Sequence, residues 1–149
     1  MRRRGSLLVL VATSIIVSCV GCAAAKLPAS LLGVWTEDMV KESWPADKPK
    51  FVKSNGTGAL RFEQQDRKAV VFVSLFEDAI KHERAWSEPL LVKETGNNSW
   101  SFQFHNRDVS LRLDEKNQLQ VSGLSMRSYN QDLVKKDPEP VEAIFIKKL

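Results

Sequence analysis

Cysteine is nearly missing from this 149-residue chain, and its placement decides a good deal. Cys19 and Cys22 both fall among the first 22 residues. The rest of the chain has none, which excludes disulfides and thiolate metal sites there. Histidine is as scarce. His82 and His105 alone make no zinc site without unspecified carboxylates, so no metal is expected. Long apolar runs are missing too. Residues 7–17 form the main one, and spanning a bilayer takes about 20. There is no Gly-x-Ser-x-Gly elbow, no glycine-rich phosphate loop ahead of a helix, and no long amphipathic helical pattern. A basic excess is also lacking once the first 25 residues are set aside. They carry three arginines and no acid, leaving 19 basic against 18 acidic groups. The formal charge of +4 and pI near 9.2 therefore belong mostly to the leading segment. The near-neutral remainder lacks the basic face used by nucleic-acid binders, and no nucleic-acid partner is expected.

What the chain does have begins with Arg2, Arg3 and Arg4, then residues 7–17, then Ser18-Cys19-Val20-Gly21-Cys22. Basic residues followed by a short apolar run are the pattern of an export signal. Three endings compete. Ile16-Val17-Ser18-Cys19 resembles the bacterial lipobox, in which a cysteine thiol takes a diacylglyceryl group before cleavage. Cys19-Val20-Gly21-Cys22 is a second candidate, with Gly21 the small residue before the cysteine. Ala23-Ala24-Ala25 offers an ordinary cleavage site, releasing a soluble periplasmic or secreted chain from Lys26. The lipobox reading makes Cys19 or Cys22 the lipid attachment point. Several acyl chains give stable membrane anchoring. Neither cysteine is followed by aspartate, which resembles sorting to the outer membrane, on its periplasmic side. The expected layout is a signal over 1–18 (alternative ends 21 or 25), a tether over 19–29, and one domain over 30–149.

Hydrophobic periodicity in that domain is mostly two. Trp100, Phe102 and Phe104 alternate with Ser99, Ser101 and Gln103. Val109, Leu111 and Leu113 follow, then Leu119 and Val121, joined by short polar turns. This pattern predicts an antiparallel meander with one apolar face. Asn55-Gly56 suits a type I′ hairpin turn. It is expected to pair residues 51–53 with 58–62, with Leu60 and Phe62 facing inward. Residues 69–76 are apolar on both faces, implying one face to the lumen and one to a covering segment or a partner. Residues 80–86 alternate as a strand would, with a helical alternative over 78–84. Residues 126–140 form a long polar loop before a closing strand over 141–146. The sum is an all-β fold: a small up-and-down antiparallel barrel of about eight strands.

Two stretches support a family. Gly33-Val34-Trp35 resembles the Gly-x-Trp that opens the first strand of lipocalins. Asn55-Gly56-Thr57-Gly58-Ala59-Leu60-Arg61-Phe62 is similar to a hairpin of bacterial lipocalin-like proteins. The resemblance implies a lipocalin-like barrel with a small apolar ligand in its mouth. Where lipocalins set an arginine against the opening tryptophan, this chain offers Lys147 and Lys148, and a shorter barrel without the added lipocalin helix is expected. The candidate ligand-lining residues are Phe62, Phe72, Trp86, Trp100, Phe102 and Phe104; Trp35 and Trp44 add to the aromatic supply.

Catalysis needs converging polar groups. Glu63, Asp66, Glu77 and Asp78 sit at strand ends, where carboxylates are solvated, and both histidines fall in polar surface positions. No enzyme activity and no cofactor are expected. Two functions remain: binding a small apolar ligand or lipid, or acting as an envelope protein-interaction or inhibitor module with a packed barrel, using the 126–140 loop around Tyr129 and Lys135-Lys136.

Overall fold

The computed structural model describes residues 25–42, 50–54, 58–75, 77–78, 80–124 and 142–149. Cys19, Cys22, Trp44, the Asn55-Gly56-Thr57 turn and the 126–140 loop lie outside these. Among the described residues there is no helix, and ten strands form one antiparallel sheet: β1 (Gly33–Glu42), β2 (Lys50–Lys53), β3 (Ala59–Gln65), β4 (Lys68–Ser74), β5 (Leu90–Leu91), β6 (Lys93–Gly96), β7 (Ser99–Phe104), β8 (Arg107–Leu113), β9 (Leu119–Ser122) and β10 (Glu142–Lys147).

The sheet order is β5-β4-β3-β1-β10-β9-β8-β7-β6, with β2 also on β1. Its two end strands are consecutive pieces of one segment. Leu90 and Leu91 pair with Val71 and Val70 of β4, and Val92 N donates to the Ala69 carbonyl. From Lys93 onward the same segment pairs with β7. One bent strand thus bridges both edges and nearly closes the barrel, leaving little free edge to recruit other chains.

β2 and β3 are likewise pieces of one course. Both run antiparallel to β1 along the same side: Met39–Glu42 against β2 and Gly33–Thr36 against β3. This corrects the expected hairpin, since β2 and β3 do not pair with each other. β2 and β3 therefore run in the same direction, flanking Ser54 and Gly58. There Ser54 N donates to the Asp38 carbonyl and Glu37 N donates to the Gly58 carbonyl. β1 shifts register against β10 at the same level, between Glu37 and Met39. The Asn55-Gly56 pair itself lies outside the described residues; the ten-residue β1 offers one continuous partner to both β2 and β3. Counting β2 with β3 and β5 with β6, the sheet has eight staves, each beside its sequence neighbour, with β10 closing onto β1.

The expected strand over residues 80–86 does not form, and neither does the helical alternative. Asp78 Oδ1 accepts from the backbone N–H groups of Ile80 and Lys81, and Asp78 N donates to the Glu83 carbonyl. His82 takes φ 55°. Aspartate caps such turns readily, and here it reverses the chain so that Glu77 and Arg84 meet in a single bridge.

Alternation places Leu60, Phe62, Val71, Val73, Trp100, Phe102, Val109, Leu111, Leu119, Val121, Ala143 and Phe145 in one buried core. Two residues ahead of β1 join it. Leu31 is fully buried, and Leu27 is 5% exposed with its N–H donating to Gln64 Oε1 at 3.1 Å. Folded structure therefore begins before Ser30, inside the stretch expected to be tether, because these two leucines cover the apolar end of the barrel. That end also carries the β3–β4, β6–β7 and β8–β9 turns and the tail of β10, since Trp35 pairs with Lys147 and Leu113 with Leu119.

Candidate functional site

The opening motif is built tightly. Gly33 has φ 108°, a conformation that side-chain-bearing residues rarely adopt. This bend turns the chain from the Leu31 plug into β1. Trp35 is 1% exposed, and its Nε1 donates to the Leu31 carbonyl at 2.8 Å. Lys147 Nζ lies 5.9 Å from the centre of the Trp35 ring. Its amine donates to the Ser30 carbonyl at 3.1 Å. Plug, first strand and last strand are thus tied at one point.

The six residues expected to line a lumen divide into two groups. Phe62, Trp100 and Phe102 lie in the core, packed among leucines and valines, with Phe104 half-buried at its margin. Phe72 and Trp86 do not join them. In register, Phe72 faces Arg61, while Leu60 and Phe62 face Val73 and Val71 on the core side. Phe72 therefore points away from the interior. The Arg61 guanidinium carbon lies 4.5 Å from the Phe72 ring centre and 4.7 Å from that of Trp86. Glu63 Oε1 is 2.9 Å from Arg61 Nε, an ion pair without hydrogen-bond alignment. Stacking between two rings suits the flat, weakly hydrated guanidinium. Sequence reasoning found both aromatics but missed Arg61. Ser87 extends the edge of β4: its Oγ accepts from Val73 N, and its N donates to the Val73 carbonyl. Val70 is buried on this outer face, while Leu91, its partner across the ladder, is 58% exposed.

Trp100 has a different anomaly. It is buried, and its Nε1 has no hydrogen-bond partner among the described residues. Its ring contributes to a cleft of about 580 Å³ at the plugged end, between the Lys26–Ala29 stretch and Glu94, Asn97 and Asn98.

The carboxylates do not converge. Glu63 pairs with Arg61, Glu77 with Arg84 at 2.9 Å, and Asp78 holds its own turn. Its two backbone N–H donors, Lys81 first and then Ile80, hold the Asp78 carboxyl below its ordinary range. His82 is exposed, 3.6 Å from Glu77, and His105 is exposed in the β7–β8 turn beside Phe104. Among the described residues no group of three His, Cys, Asp or Glu could hold a metal ion. Glu37 is buried on β1, where its carboxylate accepts from the Ser54 hydroxyl.

No family model, curated protein or solved structure matches this chain. No described helix is long and apolar enough to cross a membrane. Two features therefore stand as candidates: the Arg61 clamp on the outer wall, and the cleft beside Trp100.

Proposed function

We propose that this chain is an exported, lipid-anchored envelope protein whose short lipocalin-like barrel acts as a non-enzymatic interaction module. The observation that carries this reading is the core packed among the described residues. Trp35, Phe62, Phe145, Leu60 and Leu119 occupy it at 2% exposure or less. Small barrels commonly fill this way, and the binding surface is then on the wall. The wall offers Arg61 between Phe72 and Trp86, with Leu91 exposed beside them. Tryptophan and arginine are the residues most enriched at protein–protein hot spots. The lipid at Cys19 or Cys22 would hold the module on the periplasmic face of the outer membrane.

The test is a photo-crosslinker at position 91 in whole cells, compared with one at position 116 on a distant turn. Capture of one protein from position 91 alone, lost in the Trp86→Ala variant, supports the reading. Equal, diffuse capture at both positions counts against it.

A second reading, a small apolar ligand, is favoured by Trp100, which lines a cleft and whose buried Nε1 has no partner among the described residues. A buried N–H without a partner costs about 1–3 kcal/mol, which a ligand oxygen would recover. Saturable quenching of tryptophan fluorescence by a short fatty acid, abolished in Trp100→Phe, would favour this alternative.

A further inference from the structure

We propose that the plugged end of the barrel rests against a phospholipid surface, with Lys26, Arg67, Lys68, Lys93, Lys116 and Lys148 facing anionic headgroups. This rests on the lipid-anchor reading above. The first support is reach. Leu27 is fixed in the core, and Gln64 holds its N–H. From there back to Cys22 is five residues, and to Cys19 eight. Fully extended, these span about 18 and 28 Å. The seven-residue strand β4 is about 23 Å long. Strand tilt shortens the barrel to about 18 Å, so to bring the opposite end to the membrane the shorter tether would have to be drawn out to its full contour length. The longer one would have to run along the barrel wall, losing much of its conformational freedom.

The second support is charge. All six cations are exposed and none has an ion-pair partner among the described residues. The exposed acids at this end are Asp66, Glu94 and Glu115. Among the described residues at the opposite end, Lys41 pairs with Glu142, Lys53 with Asp38, and Arg84 with Glu77, leaving Lys50 and Lys81 as exposed cations without an ion pair. Each Lys or Arg brought near an anionic surface favours the bound state by about fivefold, and salt screens the effect. The tether favours the plugged end at the membrane, and the charges hold it there. Lys147 is not counted, since it is engaged on Ser30 and Trp35.

The experiment uses the full processed protein in vesicles containing phosphatidylglycerol, or in phosphatidylcholine alone. Lysines are acylated with a water-soluble reagent and the peptides weighed. The expected result is loss of labelling at Lys26, Lys68, Lys93, Lys116 and Lys148 on the anionic vesicles only. Labelling at Lys50 and Lys81 stays unchanged, and the protection disappears in high salt. Equal labelling at both ends, on a protein whose N-terminal peptide carries its acyl chains, overturns the orientation and leaves the anchor standing. An N-terminal peptide starting at Lys26 without lipid overturns both.

Discussion

Lys147 Nζ sits over the Trp35 ring at 5.9 Å while its hydrogen bond to Ser30 reaches the segment that plugs the barrel. One amine therefore joins the end of β10 to the start of β1 and to the plug. Lys147→Ala should lower stability by about 0.5–1 kcal/mol, as expected for an exposed cation over an aromatic ring. Lys147→Arg, which keeps charge and reach, should restore most of it. Urea midpoints of the three proteins check this.

Two tryptophans offer the same substitution in opposite circumstances. Trp35 Nε1 is bonded to the Leu31 carbonyl, and Trp100 Nε1 has no partner. Removing a bonded donor strands a buried acceptor, at about 1–3 kcal/mol; removing an unpaired one relieves such a cost. Trp35→Phe should therefore destabilise more than Trp100→Phe, by about 2–6 kcal/mol when the two effects are added. Parallel denaturant titrations decide the order.

Leu27→Ala should cost about 2–4 kcal/mol, as for other buried leucines. If residues before Ser30 were only tether, the cost would be near zero. Hydrogen exchange at the Phe62 and Trp35 amides, next to the plug, should quicken in the variant.

Trp86→Ala should leave the core intact, because Trp86 lies outside it. It should loosen the Arg61 side chain, with a stability loss of about 1–2 kcal/mol from one cation–π contact and its packing. Under the interaction reading, crosslinking from position 91 falls far more than stability does.

The Asp78 turn should respond to acid. Its carboxyl is held below the ordinary value of 3.8 by N–H groups that bond to the charged form. A lowered folded pKa means the contribution is present above 3.8 and lost as pH falls through the lower folded value. Amide exchange at Ile80 and Lys81 should accelerate in that acid window, and the Asp78→Asn variant should lack the transition.

Much of this architecture was legible in alternating residues. The β7–β8–β9 meander follows Trp100, Phe102, Val109, Leu111, Leu119 and Val121 directly, because a period of two with one wet face has few other solutions. Two elements were misread for a shared reason. Asn55-Gly56 and the alternating residues 80–86 are local signals, while pairing is decided by partners elsewhere. β1 is long enough to hold β2 and β3 in line, and Asp78 closes a turn before a second strand can run. The split among the aromatics was hidden in β4. A strand apolar on both faces does not reveal which parity is inside, so Phe72 looked like lining when Val71 and Val73 fill that role. Arg61 was invisible because its two stacking partners come from separate segments, β4 and the stretch ahead of β5.

The pairing of β1 with β10 sets the order of events during synthesis. Trp35 and Lys147 are partners across more than a hundred residues. The chain is made from its N-terminus, so β1 appears first and its neighbour on one side appears last. Until then a ten-residue strand keeps half its backbone hydrogen bonds unfilled. Contacts this distant in sequence form slowly. In whatever order the other strands associate, the seam between β1 and β10 closes only after β10 has been made, so a chain interrupted before β10 leaves that edge of β1 open.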